Sequence, residues 1–204
     1  MIRRTILARL GVCLVLLGLL ASPGAQAQQS LVAEMSLGNP QAPITVIEYS
    51  SFTCPHCANF HRDVFPQLKA EYIDTGKVSL VYREVYFDRF GLWASLVARC
   101  DGARHFFAIT DTLFAEQKAW IGSGDPQEII ANLRRIGRQA GLGDDRLDTC
   151  LSDNEHATAL VAWFQRNAER DGVRSTPSFV INGDLYSNMS LADFRGVLDG
   201  LLAQ

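Results

Sequence analysis

Cys54 and Cys57 enclose Pro55 and His56, and two cysteines at that spacing can close and reopen a disulfide with little movement of the backbone. The chemistry on offer is thiol–disulfide exchange. Ahead of the motif, the apolar run Ile44-Thr45-Val46-Ile47-Glu48-Tyr49 reads as a buried strand, and behind it Ala58 to Tyr72 reads as a helix. Cys54 therefore falls at a helix N-terminus, where unpaired backbone N–H groups and the positive end of the helix dipole favour thiolate over thiol. His56, if protonated or donating, adds to the same effect. Two plainer uses of the pair are zinc ligation and a structural bridge. Cys57 and His61 lie four apart on one helical face, which suits a metal, but no second paired-ligand motif follows. A bridge across two residues would remove little chain entropy.

The elements that must hold the motif can be followed along the chain. Phe60, Val64, Leu68 and Tyr72 recur every four residues and give the helix one apolar face, which Pro66 should kink. After Gly76-Lys77 the β-branched run Val78 to Val85 predicts a second strand, parallel to the first through a right-handed crossover. Residues 89–172 are helical in pattern, with Gly122 to Pro126 and Gly141 to Asp144 as breaks, and read as an inserted helical domain. Asn154 to Arg170 predicts a long helix returning to the sheet. Ser178 to Ile181, the turn Asn182-Gly183 and Asp184 to Tyr186 predict a hairpin. A last helix starts at a capping box, Ser190 with Asp193, and buries Leu191, Phe194, Val197, Leu198 and Leu201. Residues 28–39 are polar and read as an N-terminal tail. Residues 40–88 and 173–204 then form an α/β domain, a thioredoxin-like fold with a mixed central sheet.

The N-terminus suggests where the chemistry takes place. Arg3, Arg4 and Arg9 flank the apolar stretch Val12 to Ala21, and Ala25-Gln26-Ala27 has the small-x-small pattern of a cleavage site, so residues 1–27 read as a signal peptide. An uncleaved anchor would want about 20 apolar residues, more than this stretch supplies. Cys13 follows Val12 at the front of the apolar segment, an unsuitable place for lipidation. Export to the periplasm is the expectation, and in an oxidising compartment cysteine pairs are redox partners before they are metal ligands. Without Arg3, Arg4 and Arg9 the formal net charge of −3 becomes −6. Such a chain lacks the basic surface that nucleic acid requires. Cys54, Cys57, Cys100 and Cys150 remain after cleavage. Cys100 and Cys150, both in the helical region, are expected to be bridged. Their separation of 50 positions makes that bridge worth about 4 kcal/mol by loop entropy.

Taken together, these motifs resemble the DsbA family of secreted thiol oxidoreductases, over about Gly38 to Leu202. The resemblance implies that Cys54 is the exposed nucleophile and Cys57 the resolving thiol. It also implies that Pro177 is a cis-proline facing them and that Glu48, six residues before the nucleophile, is a buried acid. The residues themselves agree on Glu48: a carboxylate among Val46, Ile47 and Tyr49 is costly to bury charged, and could pass a proton to or from Cys57. Thr176 stands where the best-known oxidase of the family has valine, and is more like the residue in isomerases and Gram-positive-type oxidases. The implied activity is a dithiol oxidase, acting on unfolded or newly exported proteins with free thiols. The implied partner is a quinone-linked membrane protein that reoxidises it. No cofactor beyond the Cys54–Cys57 disulfide and no metal is expected, and a monomer suffices. A reductase or isomerase, or a metal-binding or chaperone module on the same fold, are the other readings. His61, His105 and His156 are expected on solvated or partly buried helix faces, and Trp93, Trp120 and Trp163 in the core or a groove wall.

Overall fold

The computed structural model describes residues 32–204; the segment read as a signal peptide and the first residues of the expected tail lie outside them. Five strands form one mixed sheet in the order β1-β3-β2-β4-β5. Central β2 (Ile44–Ser50) runs parallel to β3 (Val78–Glu84) and antiparallel to β4 (Ser178–Ile181). β5 (Asp184–Ser187) returns from β4 through Asn182 and Gly183, whose φ angles of 47° and 101° fit the tight turn that Asn-Gly favours.

The expected tail is corrected by β1 (Met35–Gly38), which pairs antiparallel with β3 and places Leu37 opposite Leu80. Met35 is buried there, as is Val32 just before it. A four-residue strand at the sheet edge has too few positions to show a period in sequence.

Alternation along β2 decides what reaches the motif. Ile44 and Val46 join the core under the redox helix, with Phe60, Leu68, Leu80 and Phe194. Tyr49 faces the other side, with Val85, Ala168 and Val180. The period of two therefore sends Glu48 and Ser50 towards the redox helix.

That helix, α1 (Pro55–Asp63), stops at Val64, and α2 (Phe65–Leu68) restarts with Pro66 in its first turn before loosening into a π-helical turn, Lys69–Ile73. The missing N–H of Pro66 explains the break. The insertion comprises α3 (Arg89–Ala98), α4 (Ala103–Ala115), α5 (Gln117–Ile121), α6 (Pro126–Gln139), α7 (Asp144–Leu151) and α8 (Asn154–Arg170). Its core of Phe106, Ile109, Leu113, Trp120, Ile129 and Leu133 is continuous with Cys57, Phe52 and Tyr82. Phe107 packs against this core and against the one beneath the sheet. α9 (Leu191–Leu202) closes the fold, its capping box formed by Ser190 and Asp193.

Candidate active site

Cys54 is the N-cap of α1 with Pro55 behind it, and its carbonyl accepts from the N–H groups of Cys57 and Ala58 at 3.1 and 3.2 Å. Proline suits that position, because the first helical N–H has no partner to lose. The two sulfurs, both free thiols here, differ sharply in setting. Cys54 is half-buried and Cys57 fully buried.

The electrostatics follow the geometry. The pKa of Cys54 is lowered to about 5, first by the hydrogen bond from the Cys57 thiol, then by Thr176 and by the N–H groups of Cys57 and His56, against an opposing contribution from burial. The exposed His56 thus acts on the sulfur through its backbone. Cys57 is pushed far up, chiefly by burial and then by its bond to Cys54. Ser51 N–H points at its sulfur at 3.5 Å.

Across from the motif, the Cys54 thiol lies 3.6 Å from the carbonyl oxygen of Thr176. The Thr176–Pro177 peptide is cis, and the Thr176 hydroxyl is otherwise unpartnered among the described residues. Glu48 is fully buried, and its Oε1 lies 2.8 Å from His61 Nε2. His61 is partly buried, one of the two settings expected for it, and its side chain, only 5 % exposed, stacks on Phe114. Cys100, just past α3, is bonded to Cys150 in α7. Trp120 is wholly in the core; Trp163 packs near Arg83 and Arg99, and Trp93 near Arg89.

Two supports of the site, Gln117 and Asp88, were not singled out from the sequence. Gln117 donates to the carbonyls of Phe52 and Cys54. Asp88 caps α3 through the N–H of Gly91 at 2.9 Å while accepting from the Thr53 hydroxyl at 2.7 Å. The cap itself was open to discovery, since Asp before a helical run is a start signal; its second bond, 35 positions back, was not.

A half-exposed thiol of lowered pKa at a helix start, a buried second thiol, and a cis-proline loop opposite, on a five-stranded sheet, define a thioredoxin-fold thiol–disulfide exchange site. Comparison with known proteins is consistent with this. The Thioredoxin_4 model, described as thioredoxin, matches residues 30–200. A Rickettsia bellii relative bearing a protein-disulfide oxidoreductase name is 35 % identical over 167 residues, covering 81 % of this chain and 63 % of the relative. The chain thus spans under two thirds of the length of the Rickettsia relatives it matches. A Bacillus cereus relative named disulfide bond formation protein D is 35 % identical over 159 residues, 74 % of this chain and 71 % of its own. The crystal structure of Wolbachia pipientis alpha-DsbA1 superposes with a TM-score of 0.77 at 30 % identity, covering 83 % of this chain and 91 % of that one. The chain belongs to the DsbA-like, thioredoxin-fold family of protein-disulfide oxidoreductases.

Proposed function

We propose that the chain is a periplasmic dithiol oxidase that donates its Cys54–Cys57 disulfide to newly exported proteins. The observation that carries this reading is the division of labour between the sulfurs. Cys54 is reachable and holds a negative charge easily; Cys57 is hidden and does not. A substrate thiolate attacks Cys54 Sγ, the Cys54–Cys57 bond breaks, and its electron pair leaves on Cys57, which takes up a proton. Glu48 is the proton donor in this scheme. A second substrate thiolate then attacks the substrate sulfur of the mixed disulfide and expels Cys54 as a thiolate. A low pKa makes that departure fast and the disulfide strongly oxidising.

Turnover requires an oxidant for the resulting dithiol, and a quinone-linked membrane protein is the class that fits. The test is equilibration with glutathione buffers followed by thiol alkylation. The oxidase reading expects a potential more positive than about −180 mV. A value near the −270 mV or so of thioredoxin would assign the protein to reduction instead. Export is tested separately, by finding a mature N-terminus at Gln28 in the periplasmic fraction.

A further inference from the structure

A buried sulfur that alternates between bonded and protonated states needs a path for its proton, and the core around Cys57 is otherwise apolar. Three buried polar atoms interrupt it. Glu48 Oε2, Ser50 Oγ and Tyr82 Oη have no hydrogen-bond partner among the described residues, although such atoms are nearly always paired. Glu48 and Ser50 share a face of β2, and Tyr82 lies opposite Glu48 in the β2–β3 register. Ser50 lowers the proton affinity of Cys57, and Tyr82 feels the charges of both Glu48 and Cys57. Ser50 thus stands near the sulfur, and Tyr82 near Glu48 across the β2–β3 register.

The path continues outward through His61. Its Nε2 holds Glu48 Oε1 at 2.8 Å, and its Nδ1 is buried and unpartnered among the described residues. The ring, fixed 4.1 Å from the Phe114 ring, forms part of the wall of a surface groove of about 420 Å³ shared with Phe65, Lys69 and the exposed Asp111. One nitrogen thus meets the buried acid while the ring edges a groove that water can enter.

We propose that His61 is the outer station of a proton path serving Cys57, passing protons between the groove and Glu48. This rests on the thiol–disulfide reading above. When substrate attack breaks the Cys54–Cys57 bond, Cys57 Sγ takes a proton from the Glu48 carboxyl group. Glu48 regains one from His61 Nε2–H, and the ring is reloaded at Nδ1 by water that must pass inward from the groove to reach this buried nitrogen. Reoxidation runs the same transfers backwards. His61 acts through Glu48 and is a positioning residue. The charged or titratable groups around its ring are Glu48 from β2, Tyr82 from β3, Asp111 from α4, Lys69 from the π turn, and Arg62 and Cys57 from its own helix.

The test follows reduction of the oxidised protein by dithiothreitol, quenched by alkylation, between pH 5 and 8. His61→Gln keeps a donor for Glu48 and a similar volume but cannot relay a proton. It should slow reduction by about tenfold to a hundredfold and alter the pH profile. The thiolate absorbance titration of Cys54 should stay as in wild type. His61→Ala should be slow too, and imidazole diffusing into the groove should restore its rate in a saturable manner. A His61→Gln rate and profile equal to wild type would overturn the proposal. So would a slow His61→Ala protein that imidazole does not rescue, or a slowed His61→Gln whose pH profile parallels wild type, since either means packing alone. Wild-type protein that fails to exchange with the probe would refute the thiol–disulfide reading itself, a separable result.

Discussion

The side-chain amide of Gln117 donates to the carbonyl of Cys54 at 3.0 Å, and to that of Phe52 at 2.8 Å, from a helix 63 positions further along the chain. The insertion thus grips the redox turn by its backbone. Gln117→Leu keeps the bulk but leaves the buried Phe52 carbonyl without this donor. An unsatisfied buried group costs about 1–3 kcal/mol, so urea unfolding should show a loss of that size, and the turn amides should lose hydrogen-exchange protection. A change below about 0.5 kcal/mol, the scatter of surface substitutions, would mean that the turn stands without this tie.

The two active-site thiols should separate cleanly by mutation. Cys54→Ser removes the sulfur that substrates reach and should abolish disulfide transfer. Cys57→Ser leaves that sulfur in place and removes its internal competitor, so mixed disulfides should accumulate on thiol-trapping gels. Swapped behaviours would reverse the roles assigned from their exposure.

Redox state and stability should be linked through pH. The folded pKa of Cys54, about 5, is depressed below its ordinary value of 9.0. The stability it contributes to the reduced form is therefore fully present above pH 9, and is lost as pH falls through the folded pKa. Cys57 has the opposite sign, a raised pKa, and its contribution is lost only above the ordinary thiol range. Between pH 5 and pH 9 the reduced form should gain on the oxidised form by about 2–4 kcal/mol, a figure discounted for the solvent screening of a half-exposed group. Denaturant unfolding of both forms at several pH values, with Cys100–Cys150 intact, measures this. A difference that does not move with pH would remove the thiolate argument.

The approach of β1 to the body of the fold depends on a buried ion pair. Arg99 grips Glu84 through two bonds of 2.6 and 2.7 Å and donates a third, at 2.8 Å, to the carbonyl of Ala33 just ahead of β1. Arg99→Met should cost about 3–5 kcal/mol, because it strands the buried Glu84 carboxylate. Hydrogen exchange should show the β1 amides opening first. Adding Glu84→Leu should recover much of the loss; continued full destabilisation in the double variant would show that packing, not charge, is at stake.

Much of this architecture could be read from residue order. β2, β3 and the Asn182-Gly183 hairpin are dense in β-branched residues with an unambiguous turn between the last pair, and α9 carries both its cap and its stripe in twelve residues. The nucleophile was legible because its position at a helix start is a local matter. The pairing of Glu48 with His61 was not, because helix periodicity says which residues share a face but not what that face meets. The signal for it was present in part: Glu48 breaks an apolar run, and His61 follows Cys57 by one helical turn. β1 escaped because its order comes from β3 and Arg99, not from its own sequence. Gln117 escaped because a glutamine in a short helix looks like any surface residue until the fold brings a carbonyl to it.

Phe107, lodged against two hydrophobic cores at once, bears on how the molecule comes apart. An inserted region with its own interior could melt as an independent module. Here the cluster formed by α4, α5 and α6 also holds Cys57, Tyr82 and Met35, so neither half owns the boundary. Chain excised between residues 89 and 172 would leave the redox helix with its inner side wet and the remaining strands short of a lining. Heat should therefore find one cooperative melting unit, with a single calorimetric peak.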